Sequence, residues 1–253
     1  MGYVIWLDMP ASSNFREAIR DAQSSALVGP NVVNKALPFV GGGMVLTAAG
    51  VLGGMFTLQS MGIQAFSTMS MVAIIPWFIL FFVAQNAAKN SNSATALPLL
   101  ATFSLLTGFT LTGLVLQAVA VAGVASIGVA ALATGLTFAI ASVFGRRMSD
   151  TVGQALSGVV GLGLIGLILA MVGIWIASIF VGPGIFAATN LMIAGFGTVL
   201  FVGMAFVDFY TMPRAYRDDQ YLAGALGMYL TYINLFIFIL QLIISLQGGG
   251  RRN

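Results

Sequence analysis

The residues best suited to chemistry lie near the end of the chain, where one carboxylate interrupts a long apolar stretch. Asp208 is the only charged residue within any of the chain's long apolar stretches. A carboxylate inside a membrane span is energetically costly, so it is a functional candidate by default. Two plain structural interpretations carry equal weight: Asp208 reaches the aqueous interface, or it forms an ion pair with Arg214 or Arg217.

Uncharged polar residues follow in the last apolar stretch, where Tyr229, Thr231 and Asn234 lie close together. Thr231 and Asn234 are three residues apart, which places them on roughly one face of a helix. Hydrogen bonds between helices explain most polar residues of this kind. The sharper hypothesis is that these three residues and Asp208 line or gate the path of an ion or a small solute.

The residue inventory argues against an enzyme. The chain contains no His and no Cys, which excludes a serine–histidine pair, a thiolate nucleophile and the usual zinc ligands. An intramembrane aspartyl mechanism needs two facing carboxylates, whereas the apolar stretches contain only Asp208. We predict no catalytic residues, no cofactor and no cofactor-binding residues. Asp208 is the only candidate metal ligand.

The composition is that of a membrane protein. Of 253 residues, 59% are hydrophobic and only 7% are charged, whereas a soluble domain carries roughly 25% charged residues. This supply cannot cover a water-facing surface, so the expected partner of most of the surface is the lipid bilayer. The ten basic residues are scattered over connections and tails, which does not form the basic patch that nucleic-acid binding requires.

Seven apolar stretches are each at or near the ~20 residues that a membrane-spanning helix needs. They lie at 36–57, 69–88, 96–119, 123–145, 155–181, 190–210 and 222–246. The predicted fold class is therefore all-α: a polytopic bundle of seven transmembrane helices over 36–246. Glycine pairs such as Gly50 and Gly54, and the glycines crowded in the fifth stretch, predict close helix packing.

The two ends of the chain are the polar segments. Residues 1–35 form a predicted cytoplasmic segment, in which Asn14 and Glu17 resemble a helix-capping box and Phe15 and Ile19 recur at helical spacing. This pattern predicts a short amphipathic helix on the membrane surface, or alternatively a solvated tail. Residues 247–253 form a C-terminal tail.

The basic residues alternate between connections. Three lie before the first span, then Lys89 follows the second, two arginines follow the fourth, and Arg214 and Arg217 follow the sixth, while the odd-numbered loops have none. Because cytoplasmic loops carry the basic excess, this pattern predicts a cytoplasmic N-terminus. Two arginines at the C-terminus leave two alternatives: 222–246 spans the membrane fully, or it is re-entrant.

The C-terminal third resembles the Bax inhibitor-1 family. The resemblance rests on the string MYLTYINLF at 228–236, on Asp208-Phe209 and on GFTLT at 108–112. The order and number of spans agree over 36–246. The bacterial branch of this family includes the YccA-like inner-membrane proteins, and the strings NFRE at 14–17 and YRDDQY at 216–221 resemble a cyanobacterial subgroup.

The resemblance implies a seven-helix fold of Bax inhibitor-1 type, with the last helix central and the N-terminus in the cytosol. It also implies a link to calcium leak across membranes and to stress regulation. In leak-type members, a carboxylate on the sixth helix faces another on the seventh. Asp208 matches the first of these, whereas the second falls at Thr231, which is not acidic.

Two functions follow as hypotheses. The first is a cation leak channel or pathway of the calcium type, with Asp208 near the cytoplasmic end of the sixth helix. The second is a non-conducting regulator that binds a membrane protein, such as a membrane-bound AAA protease, through residues 1–35. The expected location is the bacterial plasma membrane. Calcium prefers several oxygen ligands, and the second acid is missing. Monovalent cations and protons are therefore as plausible as calcium as the permeant ion.

Overall fold

The computed structural model describes residues 27–182 and 184–249, and this part of the chain is helical without any strand. The predicted helix near residues 14–22 and the last four residues lie outside the described part. The first helix runs from Val32 to Lys89, but Gly62 has a non-helical backbone (φ 81°, ψ 171°) that divides it into α1 (32–61) and α2 (63–89). The others are α3 (Ser93–Ala122), α4 (Ala125–Phe144), α5 (Asp150–Val181), α6 (Gly184–Ala215) and α7 (Tyr221–Gly249), with a 3₁₀ turn at Gly145–Arg147.

This arrangement confirms an all-α bundle of seven helices. In the described part of the chain, six continuous helices are long and apolar enough to cross a membrane. The first has 58 residues and a contour of about 87 Å at 1.5 Å per residue, which is far more than the ~30 Å of a hydrocarbon core. Its two parts therefore supply two crossings, and the chain is a multi-pass membrane protein.

The contacts of α1 and α2 with α3 set their directions. Phe66, just after Gly62, packs against Phe109 with ring centroids 5.5 Å apart. Trp77, further along α2, packs against Phe103 at 5.0 Å. As the residue number rises along α2 it falls along α3, so these two helices are antiparallel.

The helix α1 runs parallel to α3 and lies very close to it. Near the middle of α1, Thr47 Oγ1 lies 3.2 Å from the Ser104 carbonyl oxygen, and two turns later a Cβ on Gly54 would collide with Thr112. A Cβ on Gly50 would likewise collide with the backbone of α3. The predicted close packing at the Gly50 and Gly54 pair is confirmed.

The glycines of α5 behave differently. A Cβ added to Gly158, Gly161 or Gly166 would meet no atom within 4 Å in the described part of the chain. A Cβ added to Gly163, in contrast, would collide with Leu200 of α6. The prediction of close packing fails at these three positions because α5 packs against α6 along one narrow face and leaves the rest open to lipid.

The helix α7 lies at the centre of the bundle, as the family resemblance implied. It packs against α6, α4, α3 and the Val32–Lys89 helix. Its residues supply five of the largest fully buried side chains, namely Leu226, Met228, Tyr229, Leu235 and Leu240. The described helix is continuous for 29 residues. Ser245 near its end contacts Asn190 at the start of α6, so α7 crosses the whole bundle and is not re-entrant.

Candidate functional site

Asp208 and Thr231 come together between α6 and α7. Their meeting requires α6 to continue past residue 210, and it does so through Pro213 as far as Ala215. Asp208 is partly buried, and the Thr231 hydroxyl on α7 is a close polar neighbour of its carboxyl group. Within the described residues, the enclosed Oδ2 atom of Asp208 has no hydrogen-bond partner. The site is therefore a single carboxyl group with one hydroxyl neighbour and an unused acceptor atom.

Asp208 forms no ion pair with Arg214 or Arg217, because both arginines have other partners. Arg214 Nε donates to Asp150 Oδ1 (3.1 Å), and its Nη1 donates to the Tyr210 carbonyl (2.8 Å). Arg217 Nη2 donates to Asp219 Oδ2 (3.0 Å). The interpretation that a neighbouring arginine neutralises Asp208 is wrong.

Tyr229 lies on another side of α7, away from Asp208. Its hydroxyl is 2.7 Å from Thr47 Oγ1. Thr47 already directs its own hydrogen to the Gly43 carbonyl (2.8 Å), so Tyr229 is the donor. The Tyr229 ring is fully buried against α1 and α3, where it also packs on Phe103. Tyr229 thus joins three helices instead of sharing a site with Asp208.

Asn234 lies one turn beyond Thr231 on α7 and is partly buried. Its amide nitrogen donates to the Leu230 carbonyl (2.8 Å), which holds the side chain along its own helix. The amide oxygen keeps its capacity to accept hydrogen bonds. Of the four residues predicted for an ion path, the structure brings Asp208 and Thr231 together and leaves Asn234 next in line along α7.

The connections that carry the basic residues meet at one end of the bundle, which we call the basic face (residues 31–35, 89–92, 146–150 and 214–220). Lys35 Nζ lies 3.8 Å from Asp218 Oδ2. Arg146 Nη1 donates to Asn34 Oδ1 (3.0 Å). Gln220 Nε2 donates to the carbonyl of Lys89 (2.7 Å). The connections that carry the basic residues in the sequence are therefore in contact with one another in the fold.

Sequence reasoning missed the acidic members of this face. Asp218 accepts from the backbone N–H (2.9 Å) and amide of Asn31 and pairs with Lys35, so it ties the start of α1 to the connection between α6 and α7. Asp150 does the same for α5 and α6 through Arg214. These partners are separated by 64 to 187 residues along the chain, and no local spacing signals them.

The Asp219 carboxyl group on the basic face stays charged over the whole physiological range. Hydrogen bonds from Arg217 and from Ser91 lower its pKa from 3.8 to about 2. A lowered pKa contributes stability that is fully present above pH 3.8 and is lost only as the pH falls towards 2. We therefore expect Asp219→Asn to leave the pH profile of any ion flux unchanged between pH 5 and 8. Flux measured in liposomes at both ends of that range checks this, and an altered profile would place the sensing group on the basic face.

The described residues contain no group of three or more Asp, Glu, His or Cys side chains that could hold a metal ion. Asp208 alone offers one carboxylate and the hydroxyl of Thr231. This arrangement can accept a proton, or it can contact a cation that keeps most of its water. It lacks the several oxygen ligands that firm calcium binding requires.

Comparison with known proteins agrees with this architecture. A family model described as "Inhibitor of apoptosis-promoting Bax1" matches residues 29–248. A protein of Schizosaccharomyces pombe named Bax inhibitor 1 is 38% identical over 60 residues, which is 24% of this chain and 23% of that protein. An uncharacterized membrane protein of Streptococcus pyogenes serotype M1 is 29% identical over 177 residues, covering 67% and 72% of the two chains. An uncharacterized protein of Lactococcus lactis is 27% identical over 191 residues, covering 72% and 76%.

Proposed function

Because the chain belongs to the Bax inhibitor-1 family, we propose that it provides a leak pathway for cations, of the calcium type, that passes Asp208 between α6 and α7. The protein works in this proposal without catalysis and without a cofactor. Asp208, Thr231 and Asn234 form the candidate path, and Tyr229 anchors α7 beside it.

The observation that carries the proposal is the unsatisfied carboxyl atom of Asp208 inside the bundle. Oδ2 is enclosed and has no partner among the described residues, and the nearest arginines are bound to other acids. A buried charge without a partner is strongly destabilising. An exchangeable cation, water molecule or proton at this atom removes that penalty, and exchange of such a species is what a leak pathway requires.

The permeant ion in this proposal includes monovalent cations and protons as well as calcium. Calcium prefers six to eight oxygen ligands, usually with several carboxylates. Asp208 meets a threonine where leak-type relatives have a second acid. A single carboxyl group attracts cations in general, so we expect weaker selection for calcium over monovalent ions than two carboxylates would give.

We place the protein in the bacterial plasma membrane with the basic face towards the cytoplasm. The support is the excess of Lys and Arg in the connections that form this face. Asp208 is seven residues from the end of α6, or about 10 Å along the helix. In this orientation the acid lies near the cytoplasmic end of the pathway.

The proposal is tested by flux in liposomes that contain the purified protein, with calcium, potassium and sodium measured separately between pH 5 and 8. We expect Asp208→Asn to lower cation flux by about tenfold or more, equivalent to about 1.4 kcal/mol added to the barrier. Asp219→Asn is the matched control, because it removes the same charge from outside the spans.

Flux that is equal in the wild type and in Asp208→Asn, at equal protein content, would contradict the pathway. The regulatory alternative would then be favoured, in which residues 1–35 contact a membrane protein such as a membrane-bound AAA protease. Asn31 and Lys35 are fixed to Asp218, so a partner of the preceding residues would be held beside the basic face. Deletion of residues 1–30 is expected to abolish co-purification with such a partner.

A further inference from the structure

A second polar region lies at the end of the bundle opposite the basic face. It is a cleft of about 520 Å³ between α3, α5, α6 and α7, which we call the distal cleft. Its polar lining consists of Gln117, Thr189, Asn190 and Gln241, and its apolar lining consists of Met171, Ile174, Phe186 and Ile193. Among the described residues, no Asp, Glu, Lys or Arg lines it. A concave site with a few convergent polar groups among apolar walls is typical of ligand binding.

Hydrogen bonds within the protein determine which oxygens around this cleft can still act as acceptors. The Ser245 hydroxyl donates its hydrogen to the Gln241 carbonyl (2.8 Å), so it can only accept from the amide nitrogen of Asn190, 2.9 Å away. The carbonyl oxygen of Asn190 is thereby left as an acceptor. The Thr189 hydroxyl donates to the Ile185 carbonyl (2.8 Å), so it too has only acceptor capacity left. The oxygens of Asn190 and Thr189 are therefore available to accept hydrogen bonds or to contact a cation, while the amide nitrogen of Asn190 keeps one N–H donor.

The depth of the amides in the bundle requires that they be solvated. Gln117 lies five residues before the end of α3, and Gln241 lies eight residues before the end of α7. These separations correspond to about 8 to 12 Å at 1.5 Å per residue. Amide groups at that depth are costly in hydrocarbon unless they have partners. The cleft therefore provides the water or the ligand that the surrounding lipid cannot.

We infer that the distal cleft is a water-filled site that accepts cations, with amide and hydroxyl oxygens replacing part of their hydration shell. This inference rests on the proposed cation pathway, for which the cleft would be the far entrance. Because none of the described residues that line the cleft is a carboxylate, the cleft suits monovalent cations better than dehydrated calcium. Towards Asp208, the stacked rings of Phe201 and Phe238 (centroids 5.4 Å apart) fill the space between α6 and α7.

The absence of cysteine from the chain allows a direct test with single-cysteine variants. Ile193→Cys places a thiol in the cleft and leaves all the polar lining intact. Met192→Cys is the matched control, because it is the neighbouring residue and its side chain is 75% exposed on the lipid side of α6. Both variants are reconstituted in liposomes and treated with two membrane-impermeant thiosulfonate reagents, one with a trimethylammonium group and one with a sulfonate group.

We expect Cys at position 193 to react about tenfold or more faster than Cys at position 192, because the reactive thiolate forms in water and not in hydrocarbon. At position 193 the cationic reagent should react faster than the anionic one, and the ratio of the two rates should be larger than the ratio measured with a free thiol in solution. Adding Asn190→Leu to the Ile193→Cys variant should reduce that preference. Equal and slow reaction at both positions, or no preference for the cationic reagent, would overturn the inference.

The labelling result does not depend on ion flux, so it separates this inference from the proposed function. Wild-type liposomes without flux would contradict the pathway, while reaction rates at position 193 would still decide whether the cleft accepts cations. If both hold, attachment of the cationic group at position 193 should lower cation flux severalfold, whereas the same reagent should leave the cysteine-free wild type unchanged. A labelled cleft with undiminished flux would overturn its assignment as the entrance.

Discussion

Replacement of Thr231 by aspartate is expected to make the cation flux of the reconstituted protein change about tenfold between pH 8 and pH 5, more steeply than in the wild type. In this variant two carboxyl groups would lie close together between α6 and α7, because the Thr231 side chain is already a close neighbour of the Asp208 carboxyl group. Two carboxylates this close cannot both carry a full charge and instead share a proton. The charge of the pair would then change in two steps spread over a wider range of pH than the single step of one acid.

Thr231→Asn is the matched control for this prediction, since it changes the same side chain without adding an acid. The double variant Thr231→Asp with Asp208→Asn should lose the steep dependence, because one carboxyl group remains. Flux measured by ion-sensitive dyes in liposomes at half-unit steps of pH distinguishes these cases. A profile for Thr231→Asp that coincides with the wild type would show that positions 208 and 231 do not act together.

Gly108→Ala is expected to destabilise the bundle by about 1 to 3 kcal/mol, the usual effect of inserting extra atoms into a close-packed core. A Cβ at Gly108 would collide with the carbonyl oxygen of Thr47 and lie 3.0 Å from the Cα of Gly50. The obstacle is backbone, which cannot rotate away as a side chain can. Separation of α1 from α3 would also lengthen the 3.2 Å contact between Thr47 Oγ1 and the Ser104 carbonyl oxygen. The measurement is the unfolding midpoint in mixed micelles with increasing sodium dodecyl sulfate.

Gly113→Ala provides the control on the same helix. A Cβ at Gly113 would meet no atom within 4 Å among the described residues, and the position is exposed. Alanine is the better helix former by up to about 1 kcal/mol, so this variant should be as stable as the wild type or slightly more so. Equal midpoints for Gly108→Ala and Gly113→Ala would contradict the close contact between α1 and α3.

Composition and hydropathy predicted the bundle well, because a chain that is 7% charged has no other way to satisfy its surface. The separation of the first two spans was less predictable. Residues 58–68 fell between the first two predicted spans, yet only Gly62 departs from helical geometry. Hydroxyl groups explain the difference: Ser60 and Thr68 donate to carbonyls one turn earlier, so these residues satisfy their polar groups within the helix.

The candidate site was predictable only in part. Asp208 stood out by charge, and its opposition to Thr231 followed from the family resemblance. The different orientation of Tyr229 could have been derived, since two residues correspond to about 200° around a helix. The ion pair between Arg214 and Asp150 could not, because it depends on how α5 and α6 pack over 64 residues of sequence. The distal cleft likewise depends on four helices whose amides are far apart in the chain.

The central position of α7 has a consequence for biosynthesis. The helix that contacts most of the others is the last of the seven to leave the ribosome, so a nascent chain that ends before Tyr221 lacks its own core. Until α7 has been synthesised, α4 and α6 lie in the bilayer without the helix against which they finally pack. The pairing of α1 and α2 with α3 can form earlier, whereas the packing around Asp208 and Tyr229 is completed only once α7 has been made.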